Sequence, residues 1–534
     1  MQAQQSITSF DRDEFVKRLT PNHSWDMIII GGGATGLGIA VDAANRGYST
    51  LLLEGEDFAK GTSSRSTKLI HGGVRYLAQG HIDLVFKALR ERGSLLKNAA
   101  HLVKSQSFII PCYSQKDKWK YLVGLKLYDW LSGGLSIGSS SYVSRQKVME
   151  LLPNVQSKGL VGGVEYFDSQ FDDSRLAINL AQTAAANGAV VLNYCKVTSL
   201  LKTNGTIIGV VATDVESKTE YQFNSKVVVN ATGIFVDDIL KMDEPQRRPL
   251  VKPSQGIHLV LDRSFLKGSH ALLIPKTQDG RVLFAVPWHQ HLLVGTTDTP
   301  LNKPTIEPVA LDEEIQFVLQ TVKEYLSVAP TEKDVLSVFA GLRPLAAKEA
   351  NVNSTKEISR DHKLLVNHSG LVTITGGKWT TYRRMAEDTI NKIIAVGVLP
   401  SKPCKTRSLK IHGCTTSFVE GHLAVYGSDA EAIKELIKSE PLWNRKLVQR
   451  LPNTEAEVIW AIRNEMARTP EDVLARRMRI LFLDALAAIE AAPRVTELIA
   501  EELNYDEEWK AVQLARFVTL AKQYLPKKTT DTNF

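Results

Sequence analysis

D-M-I-I-I-G-G-G-A-T-G-L-G-I-A-V-D-A-A-N-R-G-Y-S-T-L-L-L-E, Asp26 to Glu54, decides the fold. The continuous apolar run Met27 to Ile30 predicts a parallel strand buried on both faces. Gly31, Gly33 and Gly36 follow as G-x-G-x-x-G, a helical pattern runs to about Arg46, and Leu51 to Leu53 is a second strand ending in Glu54. Each glycine has its own task. Gly31 permits the sharp turn, Gly33 leaves room for a pyrophosphate to reach the backbone, and Gly36 lets helix and sheet approach. The helix N-terminus offers free N–H groups and a dipole to phosphate charge. Glu54 is placed to accept hydrogen bonds from an adenosine ribose. An acid there disfavours a 2'-phosphate, which leaves FAD or NAD.

Outward from this unit, residues 1–24 form a polar N-terminal arm. Thr62, Ser63, Ser64, Ser66 and Thr67 then crowd a loop before a second glycine turn, Gly72 and Gly73, and Arg75 and Tyr76. Hydroxyls and backbone N–H groups suit a pyrophosphate, and the forked cation of Arg75 suits a phosphate-bearing substrate. Ile82 to Leu102 reads as an amphipathic helix. Lys118 to Leu131, K-W-K-Y-L-V-G-L-K-L-Y-D-W-L, mixes aromatic, aliphatic and lysine residues. That mixture fits a helix lying on a bilayer and equally a helix packed on a sheet with snorkelling lysines.

K-V-V-V-N-A-T-G, Lys226 to Gly233, predicts a second pass through the same sheet. Pro249 to Thr299 is strand-rich and predicts an antiparallel sheet. G-L-R-P-L, Gly341 to Leu345, reads as a glycine-led turn carrying Arg343. G-G-K-W-T-T-Y-R, Gly376 to Arg383, is another strand, glycine turn and helix start, with Lys378 as an added cation. After a linker at Pro400 to about Ser408 the pattern is helical throughout, including one helix over Glu471 to Ile489 and a following one with Pro493 in its first turn. Arg476, Arg477 and Arg479 read as a solvated face, or as a contact with another domain or an anionic lipid.

Composition sets bounds. A chain of 534 residues, 43% hydrophobic, exceeds one ordinary domain. The formal charge of +7 is mild, and no dense basic tract or nucleic-acid motif is present, so no nucleic-acid partner is expected. Cys112, Cys195, Cys404 and Cys414 show no metal-ligand spacing, which predicts a reducing compartment and no metal site. The first 25 residues lack the apolar core of a signal peptide, and no stretch approaches about 18 uninterrupted apolar residues.

Taken together, these stretches resemble the FAD-dependent, respiratory-type glycerol-3-phosphate dehydrogenases, within the wider D-amino acid oxidase-like flavoproteins. T-S-S-R-S-T-K-L-I-H-G-G-V-R-Y-L, Thr62 to Leu77, carries the resemblance most specifically, and G-L-R-P-L and G-G-K-W-T-T-Y-R reinforce it. The resemblance implies an α/β FAD-binding Rossmann-like domain of the D-amino acid oxidase-like type, an antiparallel-sheet substrate domain and a C-terminal all-helical domain. The expected segments are 25–110, 165–245 and 335–400 for FAD, 111–164 and 246–334 for substrate with a docking helix at 118–131, and 401–534 for the helical domain. Gly31, Gly33, Gly36, Glu54, Thr62, Ser63, Ser64, Lys68, Gly233, Gly377, Lys378 and Thr380 are the implied FAD residues. Arg75, Tyr76, His258, Arg343 and Lys378 are the implied substrate residues.

The implied reaction passes the C2 hydrogen of sn-glycerol 3-phosphate to flavin N5 as hydride, giving dihydroxyacetone phosphate. His258 is the first choice as base and Arg343 polarises or orients the hydroxyl. Electrons would pass to membrane quinone, from a cytoplasmic protein on the inner face of the cell membrane against anionic lipid; a homodimer stays open. The middle is short of the long insertion associated with bacterial oxidase relatives, which favours quinone over oxygen reduction to hydrogen peroxide.

Overall fold

The computed structural model describes residues 10–19, 23–73, 80, 82–133, 136–346 and 362–527. Arg75 and Tyr76 lie outside them. Strand Ser24–Ile30 lies inside an eight-stranded sheet. It pairs in parallel with Thr50–Leu53 on one side and Glu220–Asn230 on the other. Parallel pairing continues outward to Val190–Leu192 and to Val372–Gly376. The apolar run is therefore buried on both faces, as its lack of alternation requires. Helix Ala34–Asn45, rich in alanine and glycine, packs between helices Asp173–Ala186 and Tyr382–Ala395. Its small side chains permit that approach.

A second sheet of ten strands is mostly antiparallel. Its long strand Val251–Asp262, near one edge, pairs with Val335–Ala346 along almost its whole length. This corrects the reading of G-L-R-P-L as a turn: Gly341 to Leu345 is strand, with Arg343 opposite Ser254 and Gly341 opposite Gly256. Pro344 stands opposite Pro253. Two residues without N–H groups share one position of the ladder where no such bond is due, so neither breaks the strand. The sheets also divide the chain differently from the expected segments. Leu69–Ile70, Lys104–Cys112, Gly162–Gln170 and Val335–Ala346 all belong to the second sheet.

The C-terminal part is helical, with Ala430–Ser439, Glu455–Glu465, Ala485–Leu503 and Glu507–Lys522 as its main elements. Its core is continuous with Val260, Trp288, Leu293 and Phe339 of the second sheet. Two expectations fail here. The helix expected over Glu471 to Ile489 breaks, because Arg479 is left-handed (φ 68°) and Asp484 is extended and caps Ala487. Pro493 lies inside Ala485–Leu503 rather than opening a helix. Arg476, Arg477 and Arg479 are buried, each at 2% exposure or less, so the solvated-face reading is overturned. The arginines meet Asp57, Asp172 and Asp173 from the first half of the chain.

Candidate active site

Parallel pairing brings the carboxyl ends of Ser24–Ile30, Thr50–Leu53, Glu220–Asn230 and Val372–Gly376 to one edge of the first sheet, where ligands of such sheets bind. A cavity of about 760 Å3 opens there. Gly31 turns with φ 109°, and a Cβ on it would lie 2.8 Å from the Ala231 carbonyl oxygen. Gly33 caps helix Ala34–Asn45 with no side-chain bond, while the Ser63 hydroxyl accepts from the Ala34 N–H at 2.9 Å. A Cβ on Gly36 would sit 1.9 Å from the Gly31 oxygen, so this glycine sets helix–strand contact and does not line the cavity. Glu54 accepts from the N–H groups of Gly32 (2.6 Å) and Glu56 (2.8 Å). Burial pushes its carboxyl up to about 7, against those two donors.

The loop after Glu54 forms one wall. The Thr62 hydroxyl donates to the Leu342 carbonyl at 2.6 Å, and the Trp379 indole donates to the Ser63 carbonyl at 2.8 Å. Gly233 (φ 61°) and Gly377 (φ 76°) line the opposite strand ends, with Lys378 and Thr380 beside them. Thr380 is buried, and its hydroxyl meets the backbone of His71, another lining residue.

The second sheet supplies His258 and Arg343 to the same cavity. The His258 ring stacks on Phe339 with centroids 5.0 Å apart, and its Nε2 lies 2.9 Å from the Thr67 hydroxyl. Burial, then Lys68 and Arg343, hold its pKa well below the usual histidine range, so the imidazole is neutral. Arg343 is tied down by the carbonyls of Gln255 (3.3 Å) and Thr297 (2.9 Å), the Thr296 hydroxyl (3.1 Å) and Asp298 (3.4 Å). Gly256 has no side chain, and a Cβ there would lie 2.3 Å from the guanidinium.

Two implied cofactor residues turn away. Lys68, left-handed at φ 62°, sends its ammonium to the Ser64 carbonyl (2.6 Å) and Asp173 (2.7 Å), and neither Ser64 nor Lys68 lines the cavity. The Ser64 carbonyl belongs to the same loop, but Asp173 comes from a helix more than a hundred positions on, out of view of local sequence. Thr67, one of the crowded hydroxyls, does line the cavity, and His71, Lys196 and Asp238 line it without having been singled out for it. Thr67 and His71 sit inside the most specific stretch. Lys196 and Asp238 carried no local signal.

Residues 26–383 match the family model described as FAD dependent oxidoreductase, and residues 371–510 match that of the C-terminal domain of alpha-glycerophosphate oxidase. The mitochondrial glycerol-3-phosphate dehydrogenase of Arabidopsis thaliana is 40% identical over 559 aligned positions, covering 96% of this chain and 88% of that protein. Its Homo sapiens counterpart is 40% identical over 539, covering 94% and 74%. The chain belongs to the FAD-dependent glycerol-3-phosphate dehydrogenase family.

A solved glycerol-3-phosphate dehydrogenase from Bacillus halodurans, complexed with FAD, matches at a TM-score of 0.77 with 29% identity, covering 96% of this chain and 98% of that one. The L-alpha-glycerophosphate oxidase of Mycoplasma pneumoniae shares the fold at 0.54 and 18% identity. As in its FAD-dependent family, this chain is a flavin oxidoreductase, and its residues fit the cofactor. The bare Gly33 at a helix N-terminus, the Ser63 hydroxyl and Glu54 suit the adenosine diphosphate end. Gly233, Gly377 and Thr380 line the same cavity, as does His258.

Proposed function

We propose that the protein oxidises sn-glycerol 3-phosphate to dihydroxyacetone phosphate and delivers the electrons to a membrane quinone. The observation that carries this reading is the buried His258 with Arg343 and Lys378 in the cavity that the dinucleotide cradle opens. FAD, when bound, supplies the acceptor for the hydride from C2 and the means of passing two electrons onward. The chain does the rest. Arg343 and Lys378 offer cations to a phosphate that carries nearly two negative charges. His258 accepts the C2 hydroxyl proton as the carbonyl forms. Arg343, fixed on four sides, orients that hydroxyl or the phosphate. Arg75 and Tyr76 are assigned to the substrate by resemblance.

Quinone as the acceptor is supported by the surface. Helix Gln115–Ser132 buries Leu125, Tyr128 and Ser132 and exposes Trp119 (60%), Val123, Leu127 and Trp130 (76%). Their spacing of four, four and three residues places them on one face. Exposed Ile82 and Phe86, from the neighbouring helix Ile82–Asn98, add to the apolar surface, and Lys116, Lys120 and Lys126 share the helix. Among the described residues no helix is long and apolar enough to cross a membrane. This face is proposed to lie in the interface of an anionic bilayer, at the cytoplasmic side. Substituting both Trp119 and Trp130 by glutamate should abolish co-sedimentation with anionic vesicles while flavin content stays unchanged. Undiminished sedimentation would place the contact elsewhere.

Oxygen is the competing acceptor. Stopped-flow reoxidation of the reduced protein should be fast with a soluble quinone and slow with oxygen. The reverse order would make the protein an oxidase that forms hydrogen peroxide.

A further inference from the structure

His258 reaches the cavity, but what holds it comes from the far end of the chain. Phe339, on which it stacks, packs against Phe482 of the helical domain with centroids 4.8 Å apart. Neither phenylalanine lines the cavity. The Lys68 ammonium sits over both rings and over Trp288, at 5.1, 5.4 and 5.4 Å. Arg479 covers Phe482 at 4.3 Å and donates to the Ser64 carbonyl (3.0 Å) and to Asp173 (3.1 Å). Those are the two acceptors that also hold Lys68. One residue before Lys68, the Thr67 hydroxyl meets His258 Nε2.

Gly295 completes the enclosure, since a Cβ there would lie 2.4 Å from His258 Cδ2. The imidazole is therefore fixed in plane by Phe339, at one nitrogen by Thr67, and along one edge by Gly295. The helical chain breaks at Arg479, which adopts a left-handed conformation. A non-glycine residue keeps that conformation only where its surroundings over-determine it, and here it delivers the guanidinium and Phe482 to one spot.

We propose that Arg479 and Phe482 are positioning residues for His258, acting through Phe339, Lys68 and Thr67 to fix its imidazole and keep it dry. The C-terminal helical domain is thus part of the active-site floor. This rests on the reading of His258 as the base. The charged groups around the histidine are Arg343 on the cavity side, Lys68 over the Phe339 ring, Arg479 with Asp172 and Asp173 beside Lys68, Asp298 beside Arg343, and Glu314 on the helix packed against strand Val251–Asp262. Water admitted beneath Phe339 would ease protonation of His258. A base works only when neutral, so its activity would then be lost at a higher pH than in the parent.

The test is single-turnover flavin reduction at saturating glycerol 3-phosphate across pH, in the full-length flavoprotein, for Phe482→Ala, Phe482→Leu, Arg479→Met and His258→Gln. Phe482→Ala should slow reduction about tenfold or more and move the acid limb upward by roughly one pH unit, with flavin retained. Phe482→Leu and Arg479→Met should move it in the same direction by less. A lowered Tm with rate and acid limb unmoved, in whichever of these variants folds, overturns the proposal and leaves the cluster a matter of stability alone. His258→Gln keeps the two readings apart: if that variant reduces flavin as fast as the parent, the base assignment fails and this inference with it. If only the Phe482 and Arg479 variants behave as the parent, the base assignment stands and the floor does not.

Discussion

Replacing His258 by glutamine should slow flavin reduction by glycerol 3-phosphate by about a hundredfold to ten-thousandfold, the usual contribution of a positioned base. Flavin should stay bound, because the cofactor cradle proposed at Gly31, Gly33, Ser63 and Glu54 does not depend on this side chain. The glutamine keeps the size and a polar end for Thr67 but takes no proton. In the parent, burial, Lys68 and Arg343 hold the imidazole well below the usual histidine pKa. It stays neutral on the acid side of neutrality, so the parent rate should hold level below the ordinary histidine value of about 6.5. A parent rate that falls as pH drops through that value would show a histidine exposed to water, contrary to its 2% exposure.

Asp57→Asn should lower stability by about 3–5 kcal/mol, the cost of stranding buried charge. Asp57 is fully buried and accepts from Arg476 Nε (2.5 Å), from both terminal nitrogens of Arg477 and from Asn193 (3.2 Å). The asparagine leaves two buried guanidinium groups short of a charge. Urea unfolding would read the loss, and a change below about 1 kcal/mol would mean the pairs are exposed in solution. The pH dependence has a definite sign. Burial pushes the Asp57 carboxyl up, but Arg477 and Arg476 outweigh it and hold it at about 2. Its stabilisation is therefore present above the ordinary carboxylate value near 3.9 and is lost as pH falls toward 2. The variant should lack that acid dependence. Because Asp57 opens the loop that carries Thr62 and Ser63, some flavin should be lost with it.

The site was legible wherever chemistry is written in consecutive residues. Gly31, Gly33 and Glu54 declare strand, turn, helix and acid within one unit, and the structure keeps that order. Gly376 and Gly377 do the same with positive φ angles of 79° and 76°. Legibility failed where the partner is remote. Lys68 reads as a cofactor cation until Asp173, more than a hundred residues on, is seen to take it. Arg476, Arg477 and Arg479 look solvated until Asp57, Asp172 and Asp173 arrive from the first half of the chain. Arg343 looked like a turn residue because glycine and proline flank it, and only the facing Pro253 shows why a strand tolerates them. Thr67 was in plain view, yet its partner His258 lies 191 positions away. The helix bearing Trp119 and Trp130 stayed open because helical spacing alone could not say which face the sheet would take.

Anaerobic addition of sn-glycerol 3-phosphate to the purified flavoprotein, with the flavin absorbance followed, tests the central claim most directly. Bleaching of the bound flavin with formation of dihydroxyacetone phosphate is the predicted result. Flavin that remains bound and oxidised in the presence of saturating substrate would contradict it.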